Sequence, residues 1–143
     1  MSFPSHPFGR DMTCDMIVAQ MAAANGWEDR YRTVIQLGKQ LPALPDDLKL
    51  DTLKVSGCES QVWLAHQQDG GVFHFAADSD ARIVRGLITL VLAAYDGKTA
   101  AQIRAFDIDG YFDSLGLMAH LSPSRGNGLK AIVEQIKALA DAN

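Results

Sequence analysis

Gln61-Val62-Trp63-Leu64-Ala65-His66-Gln67-Gln68-Asp69-Gly70-Gly71-Val72-Phe73-His74-Phe75-Ala76-Ala77 is the stretch on which the fold turns. Successive side chains of a strand point to opposite faces. Val62, Leu64 and His66 therefore fall on one side of an extended chain, and Trp63 and Ala65 on the other. Phe73 and Phe75 share a face in the second run, and Asp69-Gly70 between the runs is a favoured turn. The pattern predicts a β-hairpin over about 61–77, with a short third strand near Lys54 to Ser56.

The flanking segments read as helices. Asp78-Ser79-Asp80 is expected to break the second strand and cap the next helix. Ile83, Val84, Leu87, Ile88, Val91 and Leu92 form a wide apolar stripe, the mark of a core helix laid across the hairpin, with Arg82 and Arg85 outside it. Gly97 stops that helix, and Thr99 starts a shorter one through about Phe106. Short helical turns are expected over Asp107 to Leu121. Ser122-Pro123 then opens the last amphipathic helix, carried by Leu129, Ile132, Val133, Ile136 and Leu139.

Upstream, Thr13 caps a helix to about Ala24. Ile17, Val18, Met21 and Ala22 lie on one face, and Cys14 on that face reads as a packed thiol. Asn25 and Glu28 start a second helix with the stripe Trp27, Tyr31, Val34 and Ile35, and Gly38 is expected to end or loosen it. The prolines keep Leu41 to Pro45 extended, Asp46 and Asp47 open one helical turn, and residues 1–11 read as an extended arm. The class is α+β: one domain over 1–143, a small antiparallel sheet flanked by helices.

Composition narrows the function. The chain is 48% hydrophobic and 21% charged, with a formal net charge of -4. It lacks the clustered Lys and Arg that phosphate binding requires, so no nucleic-acid partner is expected. Its most apolar run, Leu87 to Tyr95, falls short of the roughly 20 residues of a membrane span. With no signal peptide and two cysteines, a cytoplasmic protein with reduced thiols is expected.

One turn stands out chemically. Gly57-Cys58-Glu59-Ser60 places a thiol where a loop meets the first hairpin strand. Thiolate chemistry needs nearby positive charge or backbone N–H groups, and Lys54 and the turn amides are at hand; Glu59 acts against ionisation. The bland alternative is a small buried hydrophobe. Cys58 with His66, His74, His120 and the aspartates could be drawn as a metal site, or Cys58 with a histidine as a protease pair, but no pair has zinc-motif spacing and no local signature accompanies them. Asp78 and Asp80 read more simply as helix-capping acids than as acid–base groups. Arg125, at the front of the last helix, opposes the helix dipole, which points to a purpose other than helix stability.

Several stretches together resemble one family: WEDRYR (27–32), LGKQLPALP (37–45), GCESQVW (57–63), DSDARIVRGL (78–87) and LSPSRGNGL (121–129). They are similar to the SufE family of sulfur-acceptor proteins, partners of cysteine desulfurases. HPFG (6–9) and LGKQLPALPDDLK look closer to its CsdE branch. The resemblance implies an α+β fold shared with iron–sulfur scaffold proteins such as IscU. It implies that Cys58 is the acceptor of persulfide sulfur, that Arg125 is the arginine of the family's SR motif, and that Asp80 is an acidic position near the partner surface. Gly57, Glu59 and Ser60 join Asp80 and Arg125 as expected partner-binding residues.

The implied partners are a pyridoxal-phosphate-dependent cysteine desulfurase of the CsdA or SufS type and a downstream sulfur acceptor. The chain itself needs neither metal nor cofactor. The scaffolds use three cysteines, so cluster assembly on this chain is not expected. The expected role is a persulfide carrier and desulfurase activator, an accessory protein rather than a stand-alone enzyme, serving iron–sulfur cluster assembly or related sulfur transfer. The alternative is a non-catalytic adaptor that docks on a desulfurase or another sulfur-using enzyme.

Overall fold

The computed structural model describes residues 6–55 and 60–142. The hairpin forms as β1 (Val62–Asp69) and β2 (Val72–Ser79), antiparallel, with Val62 opposite Ser79 and Asp69 opposite Val72. The loop between them is Gly70-Gly71, with φ of 58° and 81°. Positive φ at both positions is what a tight hairpin turn requires, and glycine adopts it without steric cost.

Helices flank this sheet: α1 (Cys14–Ala23), α2 (Gly26–Lys39) and α3 (Arg82–Tyr95), then α4 (Ala100–Ala105), α5 (Ile108–Leu115) and α6 (Pro123–Asp141). Three of the expected caps form, while Asn25 stands at the N-cap of α2 without a side-chain cap bond. Thr13 Oγ1 accepts from Met16 N, Thr99 and Gln102 form a reciprocal capping box, and Ser122 Oγ accepts from Arg125 N ahead of Pro123. Each satisfies a backbone donor that a helix start leaves open.

The alternation in the hairpin sorts its two faces into two cores. Val62, Leu64, Phe73, Phe75 and Ala77 join the main core with Leu87, Ile88 and Val91 of α3 and Leu129, Ile132 and Ile136 of α6. Trp63 and Ala76, on the other face, pack with Leu44 and Leu48 in a second cluster. The segment from Leu41 to Val55 is thus a strap over the outer face of the sheet. It carries two 3-10 turns, Asp46–Leu48 and Asp51–Leu53.

Three local expectations give way to tertiary contacts. Gly38 does not end α2, which runs to Lys39; it is buried where α2 crosses α3. A Cβ on Gly38 would lie 2.7 Å from Gly86 N, so its role is close helix approach. Asp78-Ser79-Asp80 does not cap α3. β2 continues through Ser79, and the N-cap is Ala81, which makes no side-chain bond. Asp78 is instead buried, accepting from Leu44 N at 2.9 Å and Ser79 N at 2.8 Å while paired with Arg85 and Lys49. The third strand is not the segment near Lys54. It is β3 (Lys98–Thr99), paired antiparallel with β2; Lys54 makes a single bridge to Trp63 on the opposite edge, and Ser56 lies outside the described residues.

Residues 6–12, read as part of an extended arm, lie against the core. Phe8 is fully buried, and Gly9 (φ 87°) turns the chain so that Gly9 N bonds Met12 O at 2.9 Å. His6 Nδ1 accepts from Phe8 N, and Nε2 faces Phe75 O at 2.8 Å and Asp96 Oδ1 at 3.3 Å. Asp96, almost wholly buried, also accepts from Phe75 N at 2.7 Å, and its Oδ2 lies 3.5 Å from His74 Nδ1.

Burial alone would raise the Asp96 carboxyl. The hydrogen bonds from His6, from Phe75 N and from His74 outweigh it and leave the carboxyl below its ordinary value. A depressed carboxyl contributes stability that is complete above its unfolded value and lost as pH falls through the folded one. Asp96→Asn is therefore expected to cost about 1–3 kcal/mol at neutral pH. That penalty should begin to shrink as pH falls through about 4, where the unfolded carboxyl protonates, and disappear at the lower pH where the native carboxyl follows. Urea unfolding of both proteins across that range checks it; a penalty independent of pH would contradict the assignment.

Candidate functional site

Gly57, Cys58 and Glu59 lie outside the described residues, and the site is defined by what flanks them. On the entry side, Val55 N donates to Val62 O at 2.9 Å. On the exit side, Gln61 N donates to Asp80 Oδ1 at 3.1 Å, and Asp80 N to Gln61 O at 3.4 Å. Both ends are thereby tied to the start of the hairpin.

Ser60 and Val62 at the start of β1, Val84 and Leu87 of α3, and Ser124, Arg125 and Leu129 of α6 line a cavity of about 310 Å³. Its walls are apolar where α3 and α6 meet and polar at Ser60, Ser124 and Arg125. Ser60 is two residues along the chain from Cys58, a distance of at most about 7 Å between Cα atoms. An apolar pocket edged by one cation suits a polarisable sulfur that must be shielded from water and on occasion carry negative charge.

The remaining candidates divide. Ser60 and Arg125 meet at the cavity. Asp80, exposed, is held beside Gln61 and does not line it. His66 is exposed and lies 6.4 Å from the Phe73 ring; His74 faces Asp96; His120 stacks on Trp27 at 4.7 Å. Among the described residues no group of three His, Cys, Asp or Glu could hold a metal ion. Cys14, half-buried beside Tyr111, packs against the main core, and burial pushes its thiol up. Val84 and Leu87 escaped notice as cavity residues because their helical spacing marks them as core.

The fold and this cavity define an α+β protein with a three-stranded antiparallel sheet and a pocket lined in part by Ser60, two residues after Cys58 in the chain. A sequence model of the SufE family, described as an Fe-S metabolism associated domain, matches residues 15–140. The chain belongs to the SufE family. It is 48% identical over 137 residues to the sulfur acceptor protein CsdE of Escherichia coli (strain K12), covering 95% of this chain and 93% of that protein. It is 44% identical over 131 residues to an uncharacterized SufE-like protein of Rhizobium meliloti (strain 1021), covering 89% of this chain and 94% of the other. The solution structure of a hypothetical protein from Thermus thermophilus has the same fold, with a TM-score of 0.71, 17% identity, and coverage of 90% of this chain and 93% of that one. No helix among the described residues is long and apolar enough to cross a membrane.

Proposed function

We propose that this chain is a sulfur acceptor in iron–sulfur metabolism that takes persulfide sulfur from a pyridoxal-phosphate-dependent cysteine desulfurase onto Cys58, stimulates that enzyme and passes the sulfur to a downstream acceptor. The observation that supports the reading is the cavity shared by Arg125 and Ser60, the residue two places after Cys58 in the GCESQVW motif. The 48% identity to a sulfur acceptor supports it.

The transfer is thiol exchange. The Cys58 thiolate attacks the outer sulfur of the donor's persulfide. A new S–S bond forms on Cys58, the donor's S–S bond breaks, and the donor leaves as a thiolate. The proton on the outer sulfur travels with it, and no electrons are gained or lost overall. Arg125, on the rim of the cavity, favours the anionic forms; Glu59, next in the chain, disfavours them. Cys58 therefore rests as a thiol until a docked donor supplies further positive charge. Gly57, Glu59, Ser60, Asp80 and Arg125 form the surface that meets the donor.

The test is to mix the chain with a desulfurase and cysteine and to weigh the peptide that holds Cys58. A gain of one sulfur is expected there and nowhere else, with slow alkylation of Cys58 at neutral pH when the desulfurase is absent. No gain in the presence of active desulfurase removes the acceptor reading.

A further inference from the structure

α2 buries Val34 and Leu37 against the rest of the molecule and turns a second stripe outward. Trp27, Tyr31 and Ile35 recur along it at helical spacing, each only partly buried against the main core. With Glu28 and Lys39 they line an open groove of about 800 Å³. The aromatic end of the stripe is held in place. The Trp27 ring stacks on His120 at 4.7 Å and meets Tyr31 edge-on at 5.8 Å. Rings already fixed lose little freedom when a partner covers them, and aromatic anchors of this kind are favoured in interfaces.

Charge sits at the two ends of the stripe. Glu28 lies in the first turn of α2 and Lys39 is its last residue. Both are exposed, and neither forms an ion pair among the described residues. They are about three turns apart, roughly 16 Å, which returns them to nearly the same side of the helix. Arg32, between them, is already paired with Asp29.

An acid at one end, a base at the other and apolar side chains between them match a copy of themselves turned end for end. In that antiparallel pairing Glu28 meets Lys39 of the second copy, and Lys39 meets its Glu28. Tyr31 then lies against Ile35 of the second copy, and Trp27 near its Lys39, an aromatic ring beside a cation. A closed two-fold contact requires this self-complementarity. A foreign partner would not require the two charges to be reciprocal.

We infer that the outer stripe of α2 is a docking surface for a second copy of this chain, packed antiparallel across a two-fold axis. α2 is 14 residues long, about 21 Å. One face of that length is smaller than the roughly 800 Å² a side of a standard interface. The dimer therefore forms at high protein concentration and dissociates on dilution. None of the residues proposed to meet the desulfurase belongs to the stripe, so the inference stands apart from the sulfur-acceptor reading.

Sedimentation equilibrium of the full chain, from micromolar to millimolar concentration, tests it with Glu28→Lys, Lys39→Glu and the double exchange. Both side chains are exposed, so the variants should fold as wild type does, which circular dichroism checks. Wild type is expected to pass from the monomer mass to twice that mass. Each single variant sets like charges at both ends of the contact and should weaken self-association at least about tenfold. An equimolar mixture of the two single variants, and the double exchange by itself, should recover the wild-type constant. Each single variant changes the formal charge of -4 by only two and stays net negative, so general charge attraction does not account for recovery in the mixture.

Wild type that stays monomeric at millimolar concentration overturns the inference. So does a dimer that the single variants leave unchanged, or single variants that fail to pair when mixed. If the variants bind a desulfurase more weakly while wild type stays monomeric, the face belongs to that enzyme and the second-copy assignment falls. None of these results bears on sulfur uptake by Cys58, which the mass measurement above tests separately.

Discussion

Cys58→Ser is expected to reduce sulfur uptake to background while the protein still folds and docks. The uptake route is covalent and runs through one atom. A serine hydroxyl is scarcely ionised at neutral pH and is a poor nucleophile toward sulfur, so the loss should exceed roughly a hundredfold. The bonds that anchor the flanking segments are made by the backbone of Val55, Val62 and Gln61 and by Asp80, none of which the substitution touches. Stability should therefore stay within about 0.5 kcal/mol of wild type. Mass spectrometry of the Cys58 peptide and calorimetric titration of the desulfurase check the two halves. Stimulation of the desulfurase that survives in the serine variant would favour the adaptor reading, in which the chain docks and carries no sulfur.

The second large effect is on stability. Gly86→Ala should lower it by about 2 kcal/mol or more, despite alanine's better helix propensity. At Gly86 a Cβ would sit inside the contact radius of the Val34 carbonyl oxygen, 2.6 Å from Val34 Cγ1 and 2.8 Å from Val34 C. Two of these are backbone atoms of α2, which cannot swing aside as a flexible side chain would. Relief requires moving α2 away from α3, and that opens the contact made by the buried Val34, Gly38 and Leu87. Alanine's propensity advantage of up to about 1 kcal/mol recovers part of the loss. A fall in melting temperature of several degrees follows for a domain of this size. An unchanged or raised melting temperature would show that the two helices pack less closely than described.

Much of the architecture was legible because its signals are local. The two-residue period of Val62 to Ala65 and of Phe73 to Phe75 put the right side chains on each face of the hairpin. Thr13, Thr99 and Ser122 announced three helix starts by their own chemistry. The site was legible in part: GCESQVW singled out Cys58, and the SR pair singled out Arg125. Nothing local says that Ser60 and Arg125 line one cavity, because that depends on α6 packing against α3 beside the start of β1.

Asp78 shows why the remainder was hidden. Two acids and a serine ahead of an apolar helix look like a cap. The true partners of Asp78 sit on the strap and on α3, and one strap donor, Leu44 N, is 34 residues away in the chain. Gly38 likewise looks like a helix stop until Gly86 is brought against it.

By itself, then, the sequence determined the hairpin and the helices with the Thr13, Thr99 and Ser122 caps, and it singled out the cysteine proposed to carry the chemistry, since each depends on neighbours within a turn or two of chain. Only the tertiary structure decided which glycines are contacts, which aspartate is a buried hub, where the third strand pairs, and that Arg125 shares a pocket with Ser60. Those follow from packing between distant segments, where burial sets the meaning of a residue and local spacing carries no record of it.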